Sequence, residues 1–413
     1  MKLVFVGVLS LSVSVALGQG AFAIRNNDRV MFYGDSITST SKYTNFVETF
    51  ILTRYPKLKV TYFNAGVAGD TVYGGKFGTI NERLTRDFFS FRPNVFTIML
   101  GMNDGNRRPF DEVVFDAYTS GYEKIVADIK KRIPLSRGWL IQPSPYDDYT
   151  RPPNVLGGYN SVLIKFGRFN AELAERNGYG TVDFNKPIVD LLKKGQLTDQ
   201  TLSQQLIPDR IHPGLGAHVA MAWTLLQGWG ATGMISTSNI DAASGQTSGL
   251  NVKFRSVKTS TTSAAWDSLE GSLPFPFDRS EPTVDLALRV TNLDRAMNVQ
   301  TVKVSGLRAG QYRLKIDGLE IGKWTASDLN LGVNIGNLIT PMADQADTVA
   351  KMTFERNVIQ NTWWRDIKIR YEGLPGEGLP GAITGIQKLE NDYLLLQRQA
   401  AQPKWHRFEV SKI

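Results

Sequence analysis

The chain has 413 residues, 42% of them hydrophobic and 21% charged, which is the balance of a soluble globular protein with room for two ordinary domains. It contains no cysteine, which excludes a disulfide framework, thiol catalysis and lipid attachment through an N-terminal cysteine. The formal charge of +8 favours anionic surroundings such as acidic glycans. Lys and Arg nevertheless alternate with Asp and Glu, with no basic arm and no nucleic-acid motif, so no nucleic-acid partner is expected.

In chain order, Lys2 is followed by an apolar stretch from Leu3 to Leu17 and then by Ala21-Phe22-Ala23, a small-x-small pattern. Residues 1–23 are expected to be a secretory signal peptide cut after Ala23. A membrane anchor is the alternative, but the stretch is short for a spanning helix. With no second long apolar run, the mature protein is expected to be exported, to a bacterial periplasm or medium, without stable membrane insertion.

Strands then alternate with helices. Arg29–Tyr33 is the first expected strand, and Tyr43–Tyr55 carries Phe46, Val47, Phe50, Ile51 and Leu52 at near-helical spacing. Lys59–Phe63 is a second strand, Gly74–Gly78 a flexible loop and Ile80–Phe91 a helix. Pro93–Leu100 is a continuous apolar strand of the kind buried on both faces. A helix over Asp111–Arg132, a strand over Gly138–Gln142 and a helix over Gly158–Asn177 follow. A strand over Gly180–Phe184 and a helix over His212–Trp229 complete the unit. This alternation implies a parallel sheet covered on both faces.

The ends of these strands carry the chemistry. Gly34-Asp35-Ser36 closes the first strand, where α/β sheets place their ligands. A hydroxyl beside free backbone donors there is half of a nucleophile-plus-oxyanion site, although a helix N-cap would read the same way alone. Three further stretches stand at later loops: Asn64-Ala65-Gly66-Val67-Ala68-Gly69-Asp70-Thr71, Leu100-Gly101-Met102-Asn103-Asp104-Gly105, and Pro208-Asp209-Arg210-Ile211-His212-Pro213. Together, and in this order, the four blocks resemble those of the SGNH (GDSL-type) hydrolase superfamily. The resemblance implies a three-layer αβα, flavodoxin-like domain with a five-stranded parallel sheet over 24–232. It also implies Ser36 as nucleophile, His212 as base, Asp209 as the acid that fixes the histidine tautomer, and an oxyanion hole from Ser36 N–H, Gly69 N–H and the Asn103 amide. Pro213 suits a helix start just after the base.

Other residues have plainer expectations. His218 lies within a helix and His406 in a segment without a matching partner, and both read as structural. Asp35, Asp70 and Asp104 are expected to brace their loops through backbone hydrogen bonds. Three histidines without metal-ligand spacing and no cysteine predict no metal site, and no cofactor is expected. Arg107 and Arg108 follow Asn103 and would hold an acidic sugar, or else pair with Asp111 or Glu112 or lie on a solvated surface. Gln142 and Tyr146, at the end of the fourth strand, are substrate-loop candidates. Tyr146 and Tyr149 would stack on a sugar ring or simply pack in a turn.

From Gly233 the composition changes, and Ile235–Asn239 reads as a linker into an accessory part, 233–413, that is β-rich with helices. Strands are expected at Leu250–Phe254, Val302–Val304 and Tyr312–Ile316, the last two bracketing Gly306–Gly310 as a hairpin. Leu273–Asp278 is an extended apolar plug, a helix runs from Thr340 to about Gln360, Gly373–Gly381 is a loop, and Gln387–Gln399 is helical. Leu-Pro-Phe-Pro, Val-Ser-Gly-Leu-Arg-Ala-Gly-Gln-Tyr and Ile-Asp-Gly make this half similar to that of a two-part group of exported bacterial SGNH hydrolases. Trp324, Trp363, Trp364 and Trp405 read as core aromatics rather than sugar platforms, and Met342–Phe354 would cover the cleft.

The expected function is therefore an exported serine esterase that removes a short acyl group, most plausibly acetyl, from a small acyl ester or acetylated glycan. The alternatives are a lysophospholipase or thioesterase with the same site, and a glycan-binding protein with a vestigial one. Oligomeric state is not legible in the chain.

Overall fold

A computed structural model describes residues 21–413; the expected signal peptide lies outside the described residues as far as residue 20. Phe22, just before the expected cut, stacks on Tyr55 at 4.2 Å. The first half is an α/β unit built on five strands: β1 (Arg29–Gly34), β2 (Thr61–Asn64), β3 (Val95–Met99), β4 (Arg137–Gln142) and β5 (Gly180–Asp183). They pair in parallel in the order β2-β1-β3-β4-β5. Every residue of β3, and all of β1 after Arg29, is buried, because helices cover both faces of a parallel sheet. The order reverses direction at β1, so the crevice at the C-terminal ends of β1 and its neighbours is where such a sheet takes a ligand. Gly34 and Met99 stand level in the β1–β3 register, which brings their loops together.

Several expected elements shift. The segment 74–79 closes as a two-residue hairpin, Gly74–Gly75 against Gly78–Thr79. The helix beginning at Ile80 is α-helical to Arg83 and then widens into a π-helix, Leu84–Phe89. The helix expected from His212 starts at Leu215 instead. Proline disfavours the helical region for the residue before it, so His212 stays on the loop. The helix Asn185–Thr198 was not expected.

The second half holds a five-stranded and a four-stranded sheet with strands from residues 234–412. Ile235–Asn239 is not a linker but part of an internal strand, Met234–Asp241. Its inward positions include Ser236, Ser238 and Ile240, all buried, so small inward serines hide the alternation from composition. Gly306–Gly310 is no hairpin either. Val299–Ser305 pairs in parallel with Met234–Asp241 in one sheet, while Gln311–Ile316 belongs to the other and turns at Asp317-Gly318 to pair with Leu319–Thr325. The helix expected from Gln387 already begins at Gly378, inside the expected loop. Trp363 and Trp364 are buried, and Trp324 and Trp405 are half-buried.

The helix Pro341–Asn361 does not cover the cleft. It lies along α2 (Lys42–Arg54), whose Glu48 and Arg54 are buried although an outer helix normally keeps such residues wet. Arg356 donates to Glu48 at 2.7 Å and to Glu390 at 2.8 Å. Gln360 exchanges two hydrogen bonds with the backbone of Asn64 at the end of β2. Arg54 in turn donates to the carbonyls of Gly233 and Met297, and Leu273 N–H, in the extended plug, donates to Thr53 O. No helix among the described residues is long and apolar enough to cross a membrane.

Candidate active site

Ser36 is the first residue of α1 (Ser36–Ser39), a single turn capped by Asp35, whose carboxylate accepts Ile37 N–H at 2.9 Å. The N–H groups of a first turn have no partner within the helix, so Ser36 presents its own N–H beside its hydroxyl. Gly34 is required by close approach rather than by an unusual turn: a Cβ there would stand 2.3 Å from Thr38 Oγ1 and 2.7 Å from Met99 O.

The loop before Leu215 delivers the other two groups. Asp209 accepts the N–H groups of Ile211 at 2.9 Å and His212 at 2.7 Å through Oδ1. Its Oδ2 takes His212 Nδ1–H at 2.5 Å. With that proton on Nδ1, Nε2 is an acceptor, and Ser36 Oγ–H donates to it at 2.8 Å. Partial burial raises the Asp209 pKa, but the hydrogen bonds from His212 and Ile211 outweigh it and hold the carboxyl below its ordinary value. The acid is therefore ionised at neutral pH.

Gly69 adopts φ +82°, a left-handed conformation that costs glycine nothing, and a Cβ there would meet nothing within 4 Å. Its turn thus opens to free space. Asn103 is fixed by one amide hydrogen, which donates to Asp70 O at 3.0 Å. The structure brings Ser36, Asp209 and His212 into one hydrogen-bonded chain and ties Asn103 to the turn that contains Gly69.

Three carboxyls lie behind these loops. Asp35 and Asp104 are each pushed up to about 7, mainly by burial. Asp104 accepts Val72 N–H at 2.9 Å, so both brace backbone as expected. Asp70 does not: its side chain pairs with the fully buried Arg83 at 2.8 Å. Arg83 also bonds Asp87 and, at 2.7 Å, Ala65 O, which anchors the Gly69 loop from behind.

The remaining expectations divide. His218 is buried, stacks on Tyr43 at 6.1 Å and has its pKa pushed by burial down to about 3, so it is a neutral core residue. His406 bonds Asp317 at 2.7 Å. Tyr146 offers no face to a sugar: it is buried edge-on to Tyr159 and its hydroxyl donates to Asn154 at 2.9 Å. Tyr149 is half-buried and accepts from Asn160. Gln142 packs against Gly167 of the neighbouring helix, so it supports the sheet end. Arg107 and Arg108 lie exposed on the surface beyond Asn103 and form no ion pair with Asp111 or Glu112 among the described residues; Asp111 caps its helix. Among the described residues no His, Asp and Glu side chains gather as a metal-ligand set.

Asp147 and Arg151 were missed by sequence reasoning. Asp147 is fully buried and its carboxylate accepts Tyr149 N–H, Thr150 N–H and Arg151; its own N–H donates to Arg210 O, and its carbonyl accepts from the Arg210 guanidinium. Arg151 donates to the carbonyls of Ile207 and Pro208. This grip holds the loop immediately before Asp209 and His212. The only trace in the chain is an Asp–Arg pair four residues apart.

Residues 32–219 match the profile of the GDSL-like Lipase/Acylhydrolase family. The chain is 24% identical over 225 residues to an acetylxylan esterase of Geobacillus stearothermophilus, covering 49% of this chain and 94% of that one. A solved gut microbial diltiazem-metabolizing enzyme has a similar structure along nearly the entire chain, with a TM-score of 0.81 at 25% identity, covering 95% of this chain and 100% of that one. The crystal structure of an acetylxylan esterase from Geobacillus stearothermophilus covers 51% of this chain and 97% of its own, with a TM-score of 0.42 at 24% identity.

Proposed function

We propose that this carboxylic ester hydrolase, whose residues 32–219 form a domain of the GDSL-like Lipase/Acylhydrolase family, removes short acyl groups, acetyl above all, from carbohydrate substrates by a Ser-His-Asp mechanism. The observation that carries the reading is the unbroken chain Ser36–His212–Asp209, at 2.8 and 2.5 Å. The hydrolase unit is taken as 24–232 and the accessory unit as 233–413, and export remains part of the proposal.

Ser36 Oγ attacks the ester carbonyl carbon while His212 Nε2 takes its proton. The oxyanion that forms is met by the N–H groups of Ser36 and Gly69 and the free amide hydrogen of Asn103, donors that cannot titrate away. His212 then gives the proton to the departing alcohol. A water molecule repeats the sequence on the acyl-serine, releasing the acid and restoring the hydroxyl. Asp209 keeps the imidazole in the tautomer that the first step needs.

The acetyl reading rests on likeness to an acetylxylan esterase and on the polar, arginine-bearing rim beyond Asn103, which is not the apolar trough that a long acyl chain requires. A profile of p-nitrophenyl esters from acetate to palmitate tests it, together with acetate release from a panel of acetylated polysaccharides. Turnover greatest at acetate and acetate released from a glycan are the expected results; a maximum at long chains would replace this reading with a lysophospholipase or thioesterase.

A further inference from the structure

A cavity of about 680 Å³ opens at the end of the α1 turn that begins with Ser36 and is shared by the two halves of the chain. Ser39, Ala68, Lys76 and Phe77 of the first half line it, with Arg365 and Arg370 of the second. It adjoins the acyl site on two counts. Ser39 belongs to the same single turn as Ser36 and donates to its carbonyl at 2.9 Å, and Ala68 immediately precedes Gly69. The π-helix Thr362–Ile369 closes the far wall, and Arg365 donates to Ser39 O at 3.2 Å. The nucleophile's turn is thus held by an arginine from the accessory half.

The walls are cationic beyond what the fold needs. Lys76 and Arg370 are exposed and have no ion-pair or side-chain hydrogen-bond partner among the described residues. Among the described residues Asp366 is the one carboxylate on the lining; it sits 3.9 Å from Arg365 and its side chain is 60% exposed. Glu372, a little further on, is engaged by Arg86 at 3.2 Å. Three cations against one solvated carboxylate leave a concave surface of net positive charge, which concentrates anions and offers guanidinium forks for bidentate bonds to a carboxylate.

We propose that this cavity is a subsite for a carboxylate carried on the alcohol part of the ester, so that the enzyme selects acylated uronic acid units over neutral acylated sugars. The proposal rests on the esterase reading above and narrows its substrate class. The acyl carbon lies at Ser36, and the acidic group of the sugar reaches Arg370, Lys76 and Arg365 across the cavity. The accessory half then takes part in recognition of substrate rather than only in stability.

The test compares kcat/KM for a singly acetylated methyl galacturonoside and for its methyl ester, which differs in the charge of the carboxyl group. Wild-type enzyme should favour the free acid by about ten-fold or more, the worth of a charge-assisted hydrogen bond, and the preference should shrink as sodium chloride is raised. In Arg370→Gln with Lys76→Gln the preference should fall to near unity, with an unaltered melting temperature, since both side chains are exposed. Equal kcat/KM for the two forms, turnover of neither, or a preference unchanged in the double variant would overturn the subsite. Failure of the esterase reading looks different, because p-nitrophenyl acetate would then also go unhydrolysed.

Discussion

Ser36→Ala lowers kcat on p-nitrophenyl acetate by about 10,000-fold or more, with no loss of fold. The hydroxyl is the only group the substitution removes, and its side-chain partner is His212 Nε2. The α1 turn is capped by Asp35 and buttressed by Ser39, neither of which needs the Ser36 hydroxyl. The melting temperature should therefore stay close to that of the wild type. The residual rate should still exceed that in water, because Gly69 and Asn103 are undisturbed and continue to polarise a bound carbonyl. Steady-state rates on the two purified proteins check this, and a loss of less than ten-fold would place the nucleophile elsewhere.

Arg83→Met destabilises the protein by about 3–5 kcal/mol, the cost of breaking a buried ion pair from one side. Arg83 and its partners Asp70 and Asp87 have side chains with no exposed surface. Asp87 would keep Arg86 and Trp364 as donors, whereas Asp70 would lose Arg83, its one side-chain partner among the described residues. The pH dependence follows from that orphaned carboxyl. Burial already raises the Asp70 pKa in spite of Arg83, and loss of the guanidinium raises it further above the unfolded value, so its contribution to stability is intact in acid and is lost as pH rises through the folded value. The deficit of the variant should accordingly be larger at pH 8 than at pH 5, as read from urea melts at both. Activity should fall too, because Arg83 holds Ala65 O, and Asp70 O orients the Asn103 amide. A variant as stable as the wild type at pH 8 would show that the cluster is not what holds the loop that carries Gly69.

The first sheet and the residues of the Ser36–His212–Asp209 chain are legible in the sequence for a physical reason. A parallel sheet buries its strands on both faces, so β1 after Arg29 and β3, interrupted only by Thr97, are dominated by apolar residues, and the polar residues that follow them stand out as Gly-Asp-Ser and Asn-Asp. What escapes is whatever depends on distant pairing. Glu48 and Arg54 read as the wet side of a helix because their covers, Arg356 and the Gly233 and Met297 carbonyls, come much later in the chain. The strand at Met234–Asp241 escapes because its inward residues are serines. The hairpin expected at Gly306–Gly310 fails because two adjacent β-prone segments belong to different sheets, and nothing local distinguishes a turn from a crossover. Tyr146 reads as a sugar platform in the chain alone, but in the fold Tyr159 and Asn154 enclose it. The arginine at 365 carries no motif at all, and its relation to Ser39 exists only in the folded chain.

A fluorophosphonate probe, followed by peptide mass mapping, tests directly whether one activated serine carries the chemistry. Covalent label confined to the peptide that contains Ser36, and absent from His212→Ala, is the predicted result. Label on another residue, or none on Ser36 while ester hydrolysis is fully inhibited, would contradict a nucleophile activated by His212.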